Sequence, residues 1–417
     1  MRPLHLRVAQ LSVPTAACLL LTLLAVFPPV ARGADPSAGL DWPQYGGVMR
    51  NFTSEETGWN RDWAAREPAV VWSHEIGIGF SSMAVAGGRV YAMGYADDRD
   101  TVFCFDATTG DEIWKHSYPA PLLDKYYEGG PGGSPTVDGD RVYTLSKTGD
   151  FFCFDAATGK IHWQKNIKTE HGAKQPEWAF ACSPLIEGDW VILEVGKTLA
   201  FDRKSGKLIW ESSDYGAAYS TPVAFDLNGR RCLAVFPEHG LVILDAKNGK
   251  EISKQRWETN YGVNAASPVV QGNKVFVSSG YNRGCGLFEL TPTGEAKPVW
   301  ENKNMRNHFS TTLLWKGHLY GFDESDLKCL DLATGEEKWF QDGLGKGSLM
   351  IADGNLVILS EKGELVLAEP SPEGYKELGR TQILSGKCWT VPVLSHGRLF
   401  ARNAKGDLVC VDLSGAS

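Results

Sequence analysis

Eight short segments hold the side chains best suited to chemistry: HEIGIGFSS from His74, KYYEGGPGGSP from Lys125, KQPEWAFACSP from Lys174, DYGAAYSTP from Asp214, NYGVNAASP from Asn260, NMRNHFSTT from Asn304, GLGKGSLM from Gly343 and LSGKCWTVP from Leu384. Glu177 and Asn264 offer the hard oxygens that Ca²⁺ prefers, Arg306 a guanidinium for the carboxylates of a ligand, and Trp389 a face for a flat ring. Glu128, Trp178, Tyr219, Asn264, Arg306, His308, Lys346 and Trp389 form the candidate cofactor-binding set, with Glu177 and Asn264 as the candidate metal ligands. Tyr127, Tyr215, Tyr261 and Lys387 lie on the same segments. The same residue types also suit a peptide or a sugar without turnover, and no residue is assigned as catalytic.

Other chemistries find less support. In GLGKGS the lysine precedes the last glycine and the segment leads into a strand, so no helix N-terminus is there to cradle a phosphate. The histidines show no paired zinc spacing, and no G-x-S-x-G elbow is present. The formal net charge of −8, with no lysine or arginine run, is a poor match for nucleic acid.

What must position the segments is a repeat. CFDATTGDEIW (Cys104–Trp114) recurs as CFDAATGKIHW (Cys153–Trp163), AFDRKSGKLIW (Ala200–Trp210) and CLDLATGEEKW (Cys329–Trp339). Its aspartates, Asp106, Asp155, Asp202, Asp245, Asp331 and Asp412, are 49, 47, 43, 86 and 81 residues apart. The two long gaps contain the degenerate copies LFELTPTGEAKPVW (Leu287–Trp300) and ELVLAEPSPEGYKEL (Glu364–Leu378), which makes eight units. A matching first half, such as SPTVDGDRVYTLS from Ser134, supplies a hairpin, and the run into the aspartate and the stretch after the glycine add two more strands. This predicts an all-β protein: an eight-bladed β-propeller of four-stranded antiparallel blades.

The D-x-x-T-G stretch is expected to be a tight turn, and Trp72, Trp114, Trp163, Trp210, Trp300 and Trp339 are expected to dock between blades against the small Cys/Ala slot two residues before each aspartate. The last unit, CVDLSGAS, lacks a fourth strand, which PAVVWSHEI (Pro68–Ile76) is expected to supply, closing the ring.

The domain reading is a signal peptide over 1–33, an extension packed on the propeller over 34–67, and the propeller over 68–417. Arg2 and Arg7 precede a mostly apolar run to Val30, followed by Ala31-Arg32-Gly33 as the cleavage site, and cleavage after Gly33 removes three arginines and no acid, moving the charge from −8 to −11. The chain is therefore expected to be exported, periplasmic or extracellular, monomeric, and without a transmembrane span once mature. Cys104, Cys153, Cys329 and Cys410 occupy the buried repeat slot, whereas a pair among Cys182, Cys232, Cys285 and Cys388 is left open.

The repeated A-x-D-x-x-T-G-x-x-x-W turn, with DWPQYGG from Asp41 at the start, resembles the tryptophan-docking repeat of the pyrroloquinoline quinone (PQQ)-type propeller superfamily. In size and repeat the chain is most similar to its non-catalytic scaffolds, the BamB-like propellers of outer-membrane assembly. That resemblance implies a binding or scaffold module of the cell envelope with a protein or polymer partner and no cofactor. The superfamily's quinoprotein dehydrogenases imply the alternative, an oxidoreductase holding PQQ and Ca²⁺ and acting on an alcohol or sugar. Those enzymes typically carry adjacent cysteines, and some a C-x-x-C-H haem site; this sequence has neither.

Overall fold

The computed structural model describes residues 40–415; the signal peptide expected over 1–33 lies outside the described residues. The strands form eight sheets, one per unit, spanning residues 84–119, 136–166, 185–211, 223–256, 269–302, 313–341, 348–382 and 393–412 (blades 1 to 8). Each is a four-stranded antiparallel meander, and both degenerate copies are complete blades. Ala69–Glu75 pairs antiparallel with Asp407–Asp412, so the N-terminal strand completes blade 8 and the ring has no free end.

The eleven-residue motif owes its persistence to a joint between blades. Asp106 folds the turn by accepting the backbone N–H groups of Thr108 and Thr109, each at 2.8 Å. Those bonds, that from Thr109 foremost, hold its carboxyl below the usual range. Gly110 sits at φ +79°, and a Cβ there would lie 2.8 Å from the Trp72 ring of blade 8. Trp114 stands in the same way on Gly159, Trp163 on Gly206, Trp210 on Gly249 and Trp300 on Gly335. Most of these indoles also donate to a carbonyl of the turn they cover, Trp114 to Ala156 O at 3.0 Å and Trp300 to Leu332 O at 3.0 Å. Trp339 donates to Ser371 O at 2.7 Å in blade 7.

The Cys/Ala slot is therefore not the docking surface. Cys104, Cys153, Ala200, Cys329 and Cys410 lie directly across the strand pair from the tryptophan of their own blade, where a small side chain leaves room for the indole. The eight described cysteines are all buried and free, so Cys182, Cys232, Cys285 and Cys388 form no pair.

Two blades lack the motif tryptophan. In blade 4 its place falls to Ser253, and Trp257, four residues on and fully buried, packs instead on Gly286 of blade 5. In blade 7 its place falls to Gly379, and Trp63 of the N-terminal segment fills the space, with its ring 3.0 Å from the position of a Cβ on Gly379. The seam between blades 8 and 1 is fastened by Arg402, fully buried, which donates to Met93 O and, at 2.8 Å, to Gly77 O. Burial without a carboxylate pushes its pKa down to about 9.

The rest of the N-terminal segment is a strap across one face of the ring. Trp42 bridges to Val85, Pro43 O accepts Val137 N at 2.7 Å, and Thr53–Ser54 adds a parallel strand beside Ser348–Ala352. Replacing Trp63→Ala should lower the unfolding free energy by about 3–5 kcal/mol in urea titrations, as loss of a buried indole requires. An unchanged midpoint would show that the segment does not stand in for the missing joint.

Candidate functional site

The loops that lead into the innermost strands, together with the turns between second and third strands, surround the ring axis on the face opposite the strap. They enclose a cavity of about 280 Å³ whose walls are mainly aromatic, including Phe80, Tyr127, Trp178, Tyr281, Phe309 and Trp389. Phe309 stacks on Trp389 at 4.5 Å between centroids, and Tyr281 lies 4.9 Å from His308. Tyr45 of the strap reaches up the axis, half-buried and 3.3 Å from the Thr311 hydroxyl, and forms the floor.

Between walls and floor runs a belt of hydroxyls set by the Ser-Pro or Thr-Pro that opens several units. Ser82 N donates to Ser134 Oγ, Ser134 N to Ser183 Oγ, Ser183 N to Thr221 Oγ1, Thr221 N to Ser267 Oγ and Ser267 N to Thr311 Oγ1, at 2.9 to 3.1 Å. Each bond crosses from one blade to the next. Ser82 Oγ donates to Val391 O at 3.0 Å and ties blade 1 to blade 8.

Of the candidates read from sequence, Trp178, Tyr219, His308 and Trp389 line the cavity. Trp178 donates its indole N–H to Lys125 O at 3.1 Å, and Trp389 to Glu361 Oε1 at 2.9 Å. The ionisable candidates are matched against partners. Glu128 pairs with Lys387 at 2.7 Å, and Glu177 pairs with Lys125. Glu324 takes His308 Nδ1 at 3.0 Å and Lys346 Nζ at 3.3 Å. The hydrogen bond from His308, with its charge and that of Lys346, holds Glu324 down to about 2.

Asn264 and Arg306 lie apart from the cavity lining. Asn264 is fully buried; its amide donates to Pro237 O, at 2.7 Å, and Trp257 O, and accepts Ser279 Oγ at 2.7 Å. It braces a loop and has no oxygen to offer a cation. Arg306 is held by both oxygens of Asp323, at 2.6 and 2.8 Å. Tyr281, Glu324 and Glu361 were missing from the candidates because they belong to the turns between second and third strands, beyond the loops read from sequence.

The pattern of the family described as outer membrane protein assembly factor BamB matches residues 51–131 and 100–341. The chain belongs to this family of PQQ-like propellers. Among solved structures it is similar to BamB from Moraxella catarrhalis, with a TM-score of 0.62 and 16% identity over 84% of this chain and 99% of that one. It is also similar to the quinohemoprotein alcohol dehydrogenase ADHIIG from Pseudomonas putida HK5, with a TM-score of 0.62 and 12% identity over 91% of this chain and 81% of that one. A computationally designed protein, Ika8, has a TM-score of 0.60 at 11% identity over 82% of this chain and 98% of that one. At these identities the likeness is one of fold. Functionally curated proteins give no significant match.

The residues read as candidates do not converge on a site for a quinone held with Ca²⁺. Such a site needs convergent free oxygens and an unspent guanidinium, whereas Glu177 is paired with Lys125, the Asn264 oxygen is taken, and Arg306 is spent on Asp323. Among the described residues no group of three His, Cys, Asp or Glu side chains is placed to hold a metal ion.

The Glu324 cluster has a testable pH signature. A carboxylate with a depressed folded pKa adds stability above its unfolded value, near 4.3, and loses it as pH falls through the folded value of about 2. Glu324→Gln should therefore be less stable than the unsubstituted protein at pH 7, with the difference shrinking between about pH 4 and pH 2. A difference independent of pH would show that the cluster contributes through packing alone.

Proposed function

We propose that the protein is an exported, monomeric, non-catalytic binding module of the cell envelope that presents the mouth of its axial cup to a protein or polymer partner. The observation that carries this reading is the pairing of Glu128, Glu177 and Glu324 at the mouth with Lys387, Lys125, and Lys346 and His308. A general base must be free to take a proton near neutral pH; Glu324 at about 2 is too weak a base for that, and Glu194, raised to about 7 by burial, is sealed off the cavity lining with its oxygens on Gly196 N and Thr198 Oγ1. What is left is a shaped, largely aromatic surface, the composition of binding sites rather than of proton-transfer machinery. Membership of a family described as an outer membrane protein assembly factor supports the same reading. Among the described residues no helix is long and apolar enough to cross a membrane.

The test is calorimetric titration with PQQ, with and without Ca²⁺. No saturable heat is expected at quinone concentrations of several hundred micromolar, roughly the range that excludes a functional cofactor site. Tight, Ca²⁺-dependent binding that disappears in Trp389→Ala, together with reduction of an artificial electron acceptor, would make the protein a quinoprotein oxidoreductase.

A further inference from the structure

We infer that the axial cup binds the uncharged terminal sugar of a glycan chain. This rests on the reading of the mouth as a non-catalytic binding surface and names the chemistry of what it binds.

The charged groups of the rim already have partners, which weighs against an ionic ligand; Glu361 has both oxygens hydrogen-bonded, to Trp389 Nε1 and to Lys346 N. Lys125 with Glu177, Lys387 with Glu128, and Lys346 and His308 with Glu324 close on one another across the rim, so an ionic ligand would have to break a pair to gain one. Hydroxyls then supply direction. The oxygens of Ser134, Ser183 and Thr221 each already accept a backbone N–H from the preceding blade, at 2.9 to 3.0 Å. Among the described residues no protein acceptor takes their protons, so three O–H donors on consecutive blades face the cavity they line. A ligand that meets them must carry several neutral acceptor oxygens along one edge. It must also carry apolar faces, because the walls above the belt are the rings of Tyr127, Trp178, Tyr281 and Trp389. A pyranose has both features: C–H groups on its faces and hydroxyls around its rim.

Backbone strain marks the same place. Tyr126, Tyr261 and Tyr281 have φ of 68°, 70° and 52°; Tyr126 and Tyr281 line the cup, and Tyr261 packs against Tyr281 and Trp178 beside it. Bulky residues rarely adopt this conformation, which costs on the order of 1–3 kcal/mol each. Tyr126 and Tyr261 gain little burial in return, being 82% and 69% exposed. Rings held out at such a cost are arranged for a ligand. The Tyr45 floor then decides how a chain is met. A cup of about 280 Å³ closed at the base takes the end of a glycan and leaves the remainder outside.

The experiment is calorimetric titration of the intact protein with maltotriose, cellotriose, mannotriose and trigalacturonate, repeated with the hexasaccharide of each neutral series. At least one neutral trisaccharide should bind, its hexasaccharide should bind within about twofold of it, and trigalacturonate should bind at least about tenfold more weakly. Trp178→Ala should lower the affinity by about tenfold, the loss expected for one stacking face. Because Trp178 also anchors a loop through Lys125 O, Tyr126→Ala, which removes an exposed ring that lines the cup, should give a comparable loss in a protein of unchanged melting temperature. Absence of saturable binding by every neutral sugar at on the order of 10 mM, affinity that climbs with chain length, or affinity unchanged in both variants would overturn the proposal. Sugar binding accompanied by reduction of an artificial acceptor when PQQ and Ca²⁺ are added would uphold the sugar site and overturn the non-catalytic reading.

Discussion

A ring of sheets has no single core, so it holds only if every blade grips the next. Here the grip is an indole laid on a glycine. Gly110, Gly159, Gly206, Gly249 and Gly335 have left-handed φ values because the turn needs them, and they lack a Cβ because the neighbouring tryptophan occupies its place. The pairing joins a local requirement to a long-range one. The D-x-x-T-G turn forms from its own hydrogen bonds, and once formed it is the socket for the preceding blade. The joint also explains why the chain repeats one motif so faithfully while its mouth loops share little sequence.

The mouth depends on that rigidity. Six hydroxyls can hand a bond from blade to blade around the axis only if the innermost strands keep a fixed spacing. Left-handed tyrosines persist only where the surrounding structure over-determines them. Arg402 at the blade 8 to blade 1 seam and the strap across the opposite face complete the same frame. The cup is thus preorganised, which limits the ordering cost of binding. In the same frame Glu128, Glu177 and Glu324 of the rim are held in ion pairs.

The fold was legible in the sequence because its determinants are periodic. Equal spacing of aspartates, a tryptophan after each turn and one orphan strand at the start suffice to count blades and close the ring. The docking partner was misread because small residues and glycines both look like sockets, and only the strand register shows that the Cys/Ala slot faces its own tryptophan. Trp63 and Trp257 were illegible because each replaces a motif residue from outside the motif. At the site, Tyr127, Trp178, Tyr219 and Trp389 of the mouth loops did reach the cavity, whereas Tyr215 is buried between blades and Tyr261 stands exposed beside the cavity. The polar candidates failed for a different reason: Asn264 and Arg306 have chemistry fit for a ligand, but Ser279 and Asp323, at the ends of the second strands of their own blades, bind them first, and residue type does not show that.

A preformed aromatic cup with its lysines and three glutamates paired at the rim is proposed to receive a neutral chain end. Its most direct test is a crystal structure of the protein soaked with the neutral trisaccharide of highest affinity, compared with the unsoaked crystal. The account predicts one terminal sugar ring inside the cup, against Trp178 or Tyr281 and within hydrogen-bond distance of the Ser134, Ser183 or Thr221 hydroxyl, with the rim ion pairs unbroken in both crystals. A sugar ordered only on the outer strands, or a cup whose ion pairs open to coordinate the ligand, would contradict it.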